Sequence, residues 1–327
     1  MVFRTRVEAS RINSFLWFIY FIISLTTKVK LNMFTVRGDN AQIFIKIIDS
    51  ISINDMCVFR MDEERFYIQN IDPSRISFYE VYIVKDFFET YDINKTLDIG
   101  VSTKALMSVI NCEKNADTLS MKFTEDKVII MLSTSGTNPK QHIFECHQYT
   151  LEEEVLEVED FVNDKNKITL TSADIDLQSY CSNYAKIYSK FGIVISGNQI
   201  DILTEGDIGI SKYTCSCNLD KKHAKTKMCI SLKKMAEYLS KPCKFFGNPE
   251  IDIINESSPV HFCFMMSETC EFGFYIAPIE FDINITESVD TESNNNQDPE
   301  SDNDHISCYD SDNDSANEQI DEQSPEE

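Results

Sequence analysis

The sequence predicts an α+β protein built from two similar halves. Helical spacing of apolar residues is confined to four short windows, and short β-branched or aromatic runs fill almost everything between them. The order strand, helix, several strands, helix, several strands is also run through twice. Ile43, Phe44, Ile47, Ile48 and Ile51 mark the first helix, and Leu106, Met107 and Ile110 the second, from about Ser102 to Cys112. The third is expected to start at Ser172 as N-cap, with Leu177, Cys181, Tyr184 and Tyr188 on one stripe. The fourth runs from about Leu232 to Leu239 and is expected to end before Pro242, which cannot donate to a helix.

Thirteen runs between these windows read as strands, from Met56–Phe59, Phe66–Gln69 and Ile76–Val84 near the start to Pro259–Met265 and Glu271–Ala277 near the end. Turn pairs such as Glu125-Asp126 and Gly197-Asn198 separate neighbours. The expected organisation is an extension over 1–32, a first domain over 33–149, a connector over 150–164, a second domain over 165–281 and a tail over 282–327.

Charge separates the tail from the rest. The chain of 327 residues carries 30 basic and 54 acidic residues, a net −24. From Asp282 onward there are 16 acidic residues and no Lys or Arg, so 38 acidic against 30 basic residues leave 1–281 at −8. A stretch so acidic and so poor in apolar groups cannot offset the entropy of ordering, and disorder is expected there. At the other end, Phe15–Ile23 is continuously apolar behind Arg4, Arg6 and Arg11, the layout of a targeting signal. No small-residue cleavage site follows, and Met33 opens a segment that reads as a natural start. An upstream extension outside the fold is expected, with a targeting or anchoring segment as the alternative. Eleven cysteines without framework spacing point to a reduced, intracellular protein.

Enzymatic function finds little support. No phosphate-binding Gly loop, nucleophile elbow, His-Glu-x-x-His or Cys-x-x-Cys is present, and nine glycines and five histidines offer little material for such sites. Cys215, Cys217, His223 and Cys229 are the best candidate ligands for zinc, but their spacing fits no standard knuckle, and no metal or cofactor is expected. The basic residues gather near helices instead: Lys46, Lys104 and Lys114, Lys186 and Lys190, then Lys233, Lys234, Lys241 and Lys244. Lys221, Lys222, Lys225 and Lys227 form a second group in a loop. These groups gain meaning only if the helices line one surface.

From Met33 to Phe281 the chain resembles proliferating cell nuclear antigen (PCNA), the family of DNA polymerase sliding clamps. Met33-Phe34 is similar to the family's opening, and Phe88-Glu89-Thr90-Tyr91 to its Phe-Asp-Thr-Tyr signature. Leu97-Asp98-Ile99-Gly100-Val101 resembles the lead into its second helix, and Asn115-Ala116-Asp117-Thr118-Leu119 the strand that follows. Gly206-Asp207-Ile208-Gly209 resembles its Gly-Glu-Leu-Gly turn, and Tyr275-Ile276-Ala277-Pro278 its terminal Tyr-Leu-Ala-Pro.

The resemblance implies a homotrimeric ring of two-domain subunits, with antiparallel sheets outside and two helices per domain lining the hole. It implies no enzymatic activity; the partners are duplex DNA bound without sequence specificity, DNA polymerase, a clamp loader, and PIP-box-type peptides of replication and repair enzymes. DNA would meet Lys46, Lys104, Lys186, Lys190, Lys233 and Lys234. The partner peptide would enter a pocket of Ile71, Arg75, Ile76, Phe78, Leu156, Val158, Pro259, Tyr275, Ala277 and Pro278. Subunits would join through Ile143, Glu145, Ile208 and Ile210. Ser108 and Asn111 stand where the family usually has lysine, and Arg75 where it often has histidine. The expected location is the nucleus or a viral or cellular replication site. A heterotrimeric checkpoint clamp, with Ser301, Ser307 and Ser311 of the tail as phosphorylation sites, is the alternative.

Overall fold

The computed structural model describes residues 32–113, 116–135, 138–151, 155–156, 166–171, 175–216 and 225–283. The extension before Asn32, nearly all of the acidic tail, Val158, Lys114, Lys221, Lys222, Cys217 and His223 lie outside these residues.

Elements follow one another in a repeated order. Strand β1 (Asn32–Arg37) leads into α1 (Asp39–Ile51), a meander of β2 (Met56–Met61), β3 (Arg65–Ile71) and β4 (Ser77–Val84), and the short β5 (Thr90–Asp92). Next come β6 (Leu97–Ser102), α2 (Thr103–Ile110) and a second meander of β7 (Thr118–Phe123), β8 (Lys127–Thr134) and β9 (Lys140–His147). The second half runs β10 (Ile168–Leu170), α3 (Leu177–Ser182), β11 (Lys190–Ser196), β12 (Gln199–Gly206) and β13 (Gly209–Ser216). It ends with β14 (Thr226–Ser231), α4 (Leu232–Phe246), β15 (Glu250–Ile253), β16 (Val260–Ser267) and β17 (Cys270–Ile276). Apart from β5, each half is strand, helix, meander, strand, helix, meander.

Pairing preserves the correspondence. One sheet has the order β5-β1-β7-β8-β9 and another β13-β12-β11-β14, while β10-β15-β16-β17-β4-β3-β2-β6 form a single eight-stranded sheet. The eight strands are one half's β10-β15-β16-β17 joined to the other half's β4-β3-β2-β6 by seven antiparallel pairs, from Cys270↔Ile83 to Ile276↔Ser77. The halves therefore share a sheet, and a continuous core draws on all three sheets and four helices.

Strand alternation puts one face of the eight-stranded sheet against the helices. Tyr79, Val81 and Ile83 of β4 and Phe272, Phe274 and Ile276 of β17 are buried on that face. In the first half the core centres on Phe34, whose ring meets Phe44, Phe66, Phe88 and Phe123 at 4.9–5.7 Å. Phe88 of the Phe-Glu-Thr-Tyr segment thus serves packing, and Tyr91 lies against it at 4.9 Å. Such ring clusters contribute area burial plus edge-to-face attraction.

Three local expectations change. The fourth helix passes through Pro242 to Phe246, because Leu239, Pro242 and Cys243 are all buried on its packed face and that burial outweighs one missing hydrogen bond. The third is capped by Asp176, whose carboxylate accepts from the Ser179 amide, and ends at Ser182. A 3-10 turn over Tyr184–Lys186 follows, so the tyrosine spacing that reads as one helix spans two turns of different pitch. Lys190 is consequently a strand residue at the start of β11. Finally, Asp282 and Ile283, read as the start of the tail, belong to the fold: Ile283 is buried with Val194, Leu203 and Cys229. Among the described residues no helix is long and apolar enough to cross a membrane.

Candidate functional site

The four helices touch one another in the order α2, α1, α4, α3 and so form one layer. Within these helices and the 3-10 turns after α2 and α3, seven lysines face four carboxylates, Asp39, Asp49, Glu113 and Glu237. In an acidic chain this layer is locally positive. The lysines are not equivalent, however. Lys46, Lys186 and Lys233 form no ion pair with any described residue, and Lys186 and Lys233 are exposed. Lys104 pairs with Asp55 at 2.5 Å, with both side chains largely in solvent. Lys190 is held between Glu205 (2.8 Å) and Asp282, contacts that raise its pKa, and it points away from the helical layer. Lys234 is half-buried and bonded to Asp72 and Glu237, each at 3.1 Å. Lys190 and Lys234 are thus fastened by carboxylates of the same chain, and Lys190 lies on β11 rather than on a helix. Lys244 is exposed and unpaired among the described residues, on a helical turn that Pro242 seemed to forbid.

Asp72 explains where Lys234 goes. Its carboxylate accepts from the amides of Ile76 (2.8 Å) and Ser77 (3.3 Å), the Ser74 hydroxyl (2.5 Å) and Lys234. The turn it organises places Arg75 in the left-handed region at φ 56° and turns Ile76 outward, 36% exposed. The Ile76 carbonyl then accepts from the Ala277 amide at 2.7 Å, drawing the end of β17 beside the turn. Burial pushes the Asp72 carboxyl up, but Ser74, Lys234 and the two amides outweigh it and leave the pKa below its ordinary 3.8. A depressed carboxyl stabilises the fold above the unfolded value, and that contribution is lost as pH falls through the folded value. Asp72→Asn should lower unfolding free energy by about 3 kcal/mol near neutrality and flatten the acid limb of the stability curve, read by urea denaturation across pH.

On the face turned away from the helices, β3, β4, β17 and β16 align Ile71, Phe78, Tyr275 and His261 in one row. Phe78 stacks on Tyr275 with centroids 4.3 Å apart and planes within 5°. Tyr275 is itself 1% exposed, covered on its other side by His261, and donates to Glu80 at 2.7 Å. It is therefore a floor, whereas Ile76 is exposed and Ile71, Phe78, Pro259, Ala277 and Pro278 are half-buried. The chain beyond β9 returns to the same sheet, where Tyr149 bonds to both the amide and the carbonyl of Gly100. A Cβ at Gly100 would lie 2.4 Å from the Tyr149 carbonyl, so only glycine admits this approach. Further on, the Gln69 amide clasps Leu156 through both its N–H (2.7 Å) and carbonyl (3.0 Å).

Among the sheet edges, two long ones bear on assembly, β9 and β13. Strand β9 exposes Ile143 (61%) and Glu145, the latter paired with Lys127 at 2.8 Å; strand β13 exposes Ile210 (44%). Ile208 (73%) sits in the turn before β13 rather than on the edge itself, and Tyr213 (49%), which the sequence reading passed over, is on it. The zinc candidates separate: Cys215 is on β13 and Cys229 on β14, at opposite edges of a four-stranded sheet.

The comparisons with known proteins agree with this architecture. The profile of the family described as "Proliferating cell nuclear antigen, N-terminal domain" matches residues 33–161. The chain is 21% identical to the proliferating cell nuclear antigen of Dictyostelium discoideum over 258 residues, 75% of this chain and 99% of that protein. Against that of Saccharomyces cerevisiae it is 22% identical over 231 residues, covering 69% and 85%. It is also 23% identical over 192 residues to a "Probable DNA polymerase sliding clamp 2" of Paramecium bursaria Chlorella virus 1, covering 58% and 69%. Among solved structures, the proliferating cell nuclear antigen of Entamoeba histolytica superposes with a TM-score of 0.64 at 18% identity, over 77% of this chain and 99% of that one.

Proposed function

As the chain belongs to the proliferating cell nuclear antigen family of sliding clamps, we propose that it closes with further copies of itself into a ring around duplex DNA and tethers DNA polymerase there. It performs no chemistry of its own. The observation that carries the reading is the equivalence of joints. In the repeated topology β9 corresponds to β17 and β13 to β4, and β17 and β4 pair while β9 and β13 are left open. A second copy can therefore repeat outside the chain the junction already made inside it, and head-to-tail pairing of unlike edges that closes gives a ring. Domains over 33–149 and 165–281 with a connector over 150–164 fit this arrangement.

The helical layer would then face the DNA. Its sparse lysines suit phosphate contacts without base reading, which lets a ring slide. We assign the contacts to Lys46, Lys104, Lys186, Lys233 and Lys244. Replacing Lys46, Lys233 and Lys244 together with alanine should reduce the slope of log affinity against log salt by about 3, roughly one per lysine, with the melting temperature unchanged. Fluorescence anisotropy on linear duplex measures this. Lys190→Ala and Lys234→Ala should behave oppositely, lowering stability and leaving the slope in place.

The groove beside Ile76, floored by Phe78 and Tyr275 and overhung by the connector at Leu156, is the proposed dock for peptides with an aromatic pair. Val158 belongs to the same proposal. Such docking would place the protein at DNA replication sites, loaded there by an ATP-driven partner. Primer extension on a circular template with a clamp loader tests the whole reading: synthesis should become processive only when this protein is present, and unchanged product length would overturn it. Sedimentation of the purified chain separates a self-assembling ring from an obligate subunit of a mixed checkpoint clamp.

A further inference from the structure

Behind the groove floor, on the same outward face, three side chains of different chemistry converge. His261 and Cys263 alternate along β16, and Glu271 lies on β17; one donor atom from each comes within 4.8 Å of the others. The Cys263 thiol donates to a Glu271 carboxylate oxygen at 3.4 Å.

The imidazole is aimed. Its Nδ1 lies 3.0 Å from an Asp252 carboxylate oxygen, and Asp252 is fixed in turn by Thr169 (2.6 Å) and Lys167 (3.3 Å). The ring is also stacked on Tyr275 at 4.3 Å. Both constraints direct Nε2 over Gly273, where a Cβ would come within 2.8 Å of it. Gly273 is the register partner of Cys263, so Nε2 lies beside the strand position that carries the sulfur, and the missing side chain at Gly273 is what lets the imidazole lie there.

From this geometry we propose that His261, Cys263 and Glu271 form a zinc site. Thiolate and imidazole suit zinc and disfavour magnesium or calcium, which take oxygen ligands. An imidazole whose other nitrogen is held by a carboxylate is the usual support for a metal-bound histidine. A tetrahedral ion with bonds of about 2.0–2.3 Å draws its donors to within roughly 3.5 Å of one another, a contraction the half-buried Glu271 side chain can supply. Water takes the fourth position, and the thiol proton leaves to solvent as the sulfur binds. His261 stacks on Tyr275 and Tyr275 on Phe78, so an ion here fastens the floor of the groove from behind. The site does not depend on what the groove binds.

The full chain, stripped with chelator, is titrated with zinc alone by calorimetry and with cobalt by absorption. One ion per chain should bind, with a cobalt–thiolate charge-transfer band. Cys263→Ser should abolish the band and weaken zinc about 100-fold, and Glu271→Gln should weaken it about 10-fold or more, on the scale that ligand-supporting groups already reach. Cys112→Ser, which alters an exposed thiol elsewhere, should change neither. Glu271→Gln alters a half-exposed side chain and decides the matter if Cys263→Ser fails to fold. Wild-type zinc affinity in the folded variants, or no saturable binding by the native chain, would overturn the assignment.

Discussion

Placing aspartate at both Ile143 and Ile210 is expected to reduce the assembly to single 37.7 kDa chains and to lower processive synthesis by on the order of 100-fold. Both side chains project from unpaired edges and are among the most exposed apolar groups of the described residues, so neither variant removes core packing. What they remove is the apolar match between edges, and they add like charge where two strands must approach. The size of the effect follows from topology: a tether that encircles its substrate loses its effective concentration once any joint stays open. Sedimentation at several concentrations, beside an unchanged melting curve, checks the claim. A double variant that still sediments as the parent would sink it.

Ile76→Asp should leave assembly intact and weaken a peptide with an aromatic pair by about 2 kcal/mol, roughly 30-fold in Kd. Ile76 is displayed by the Asp72 turn, and its side chain is free of the core while its backbone is fixed to Ala277. Truncating Tyr275 would be a poorer probe, since that ring is buried between Phe78 and His261 and its loss would disturb the sheet. Calorimetry with the synthetic peptide, together with sedimentation, separates loss of docking from loss of the ring.

The regular elements were legible because their apolar periods are strong. The strand from Met56 to Phe59 appears where its apolar run puts it and that from Thr118 to Phe123 where alternation does, and α1 follows its isoleucines. What escaped was decided by tertiary contact. Nothing local tells that burial of Leu239, Pro242 and Cys243 carries α4 through a proline, or that Tyr184 and Tyr188 belong to a tighter turn than Leu177 and Cys181. The lysines show the same limit. A sequence places Lys190 and Lys234 near helices, but only the fold brings Glu205 and Asp282 to the first and Asp72, 162 residues away, to the second. The row from Ile71 to His261 was visible in all but its last member, since resemblance named Ile71, Phe78 and Tyr275. His261 was missed because no spacing announces a side chain that meets its partners across three strands.

The seven-pair junction between β17 and β4 also bears on how such a ring comes apart. In the proposed ring half of the seams would be sewn within a chain, where dilution cannot reach them, and the other half would be matters of concentration. An opening machine would have to work on the second kind alone, and prising apart a single β9–β13 seam would be enough to admit DNA sideways while every other seam still held the shape.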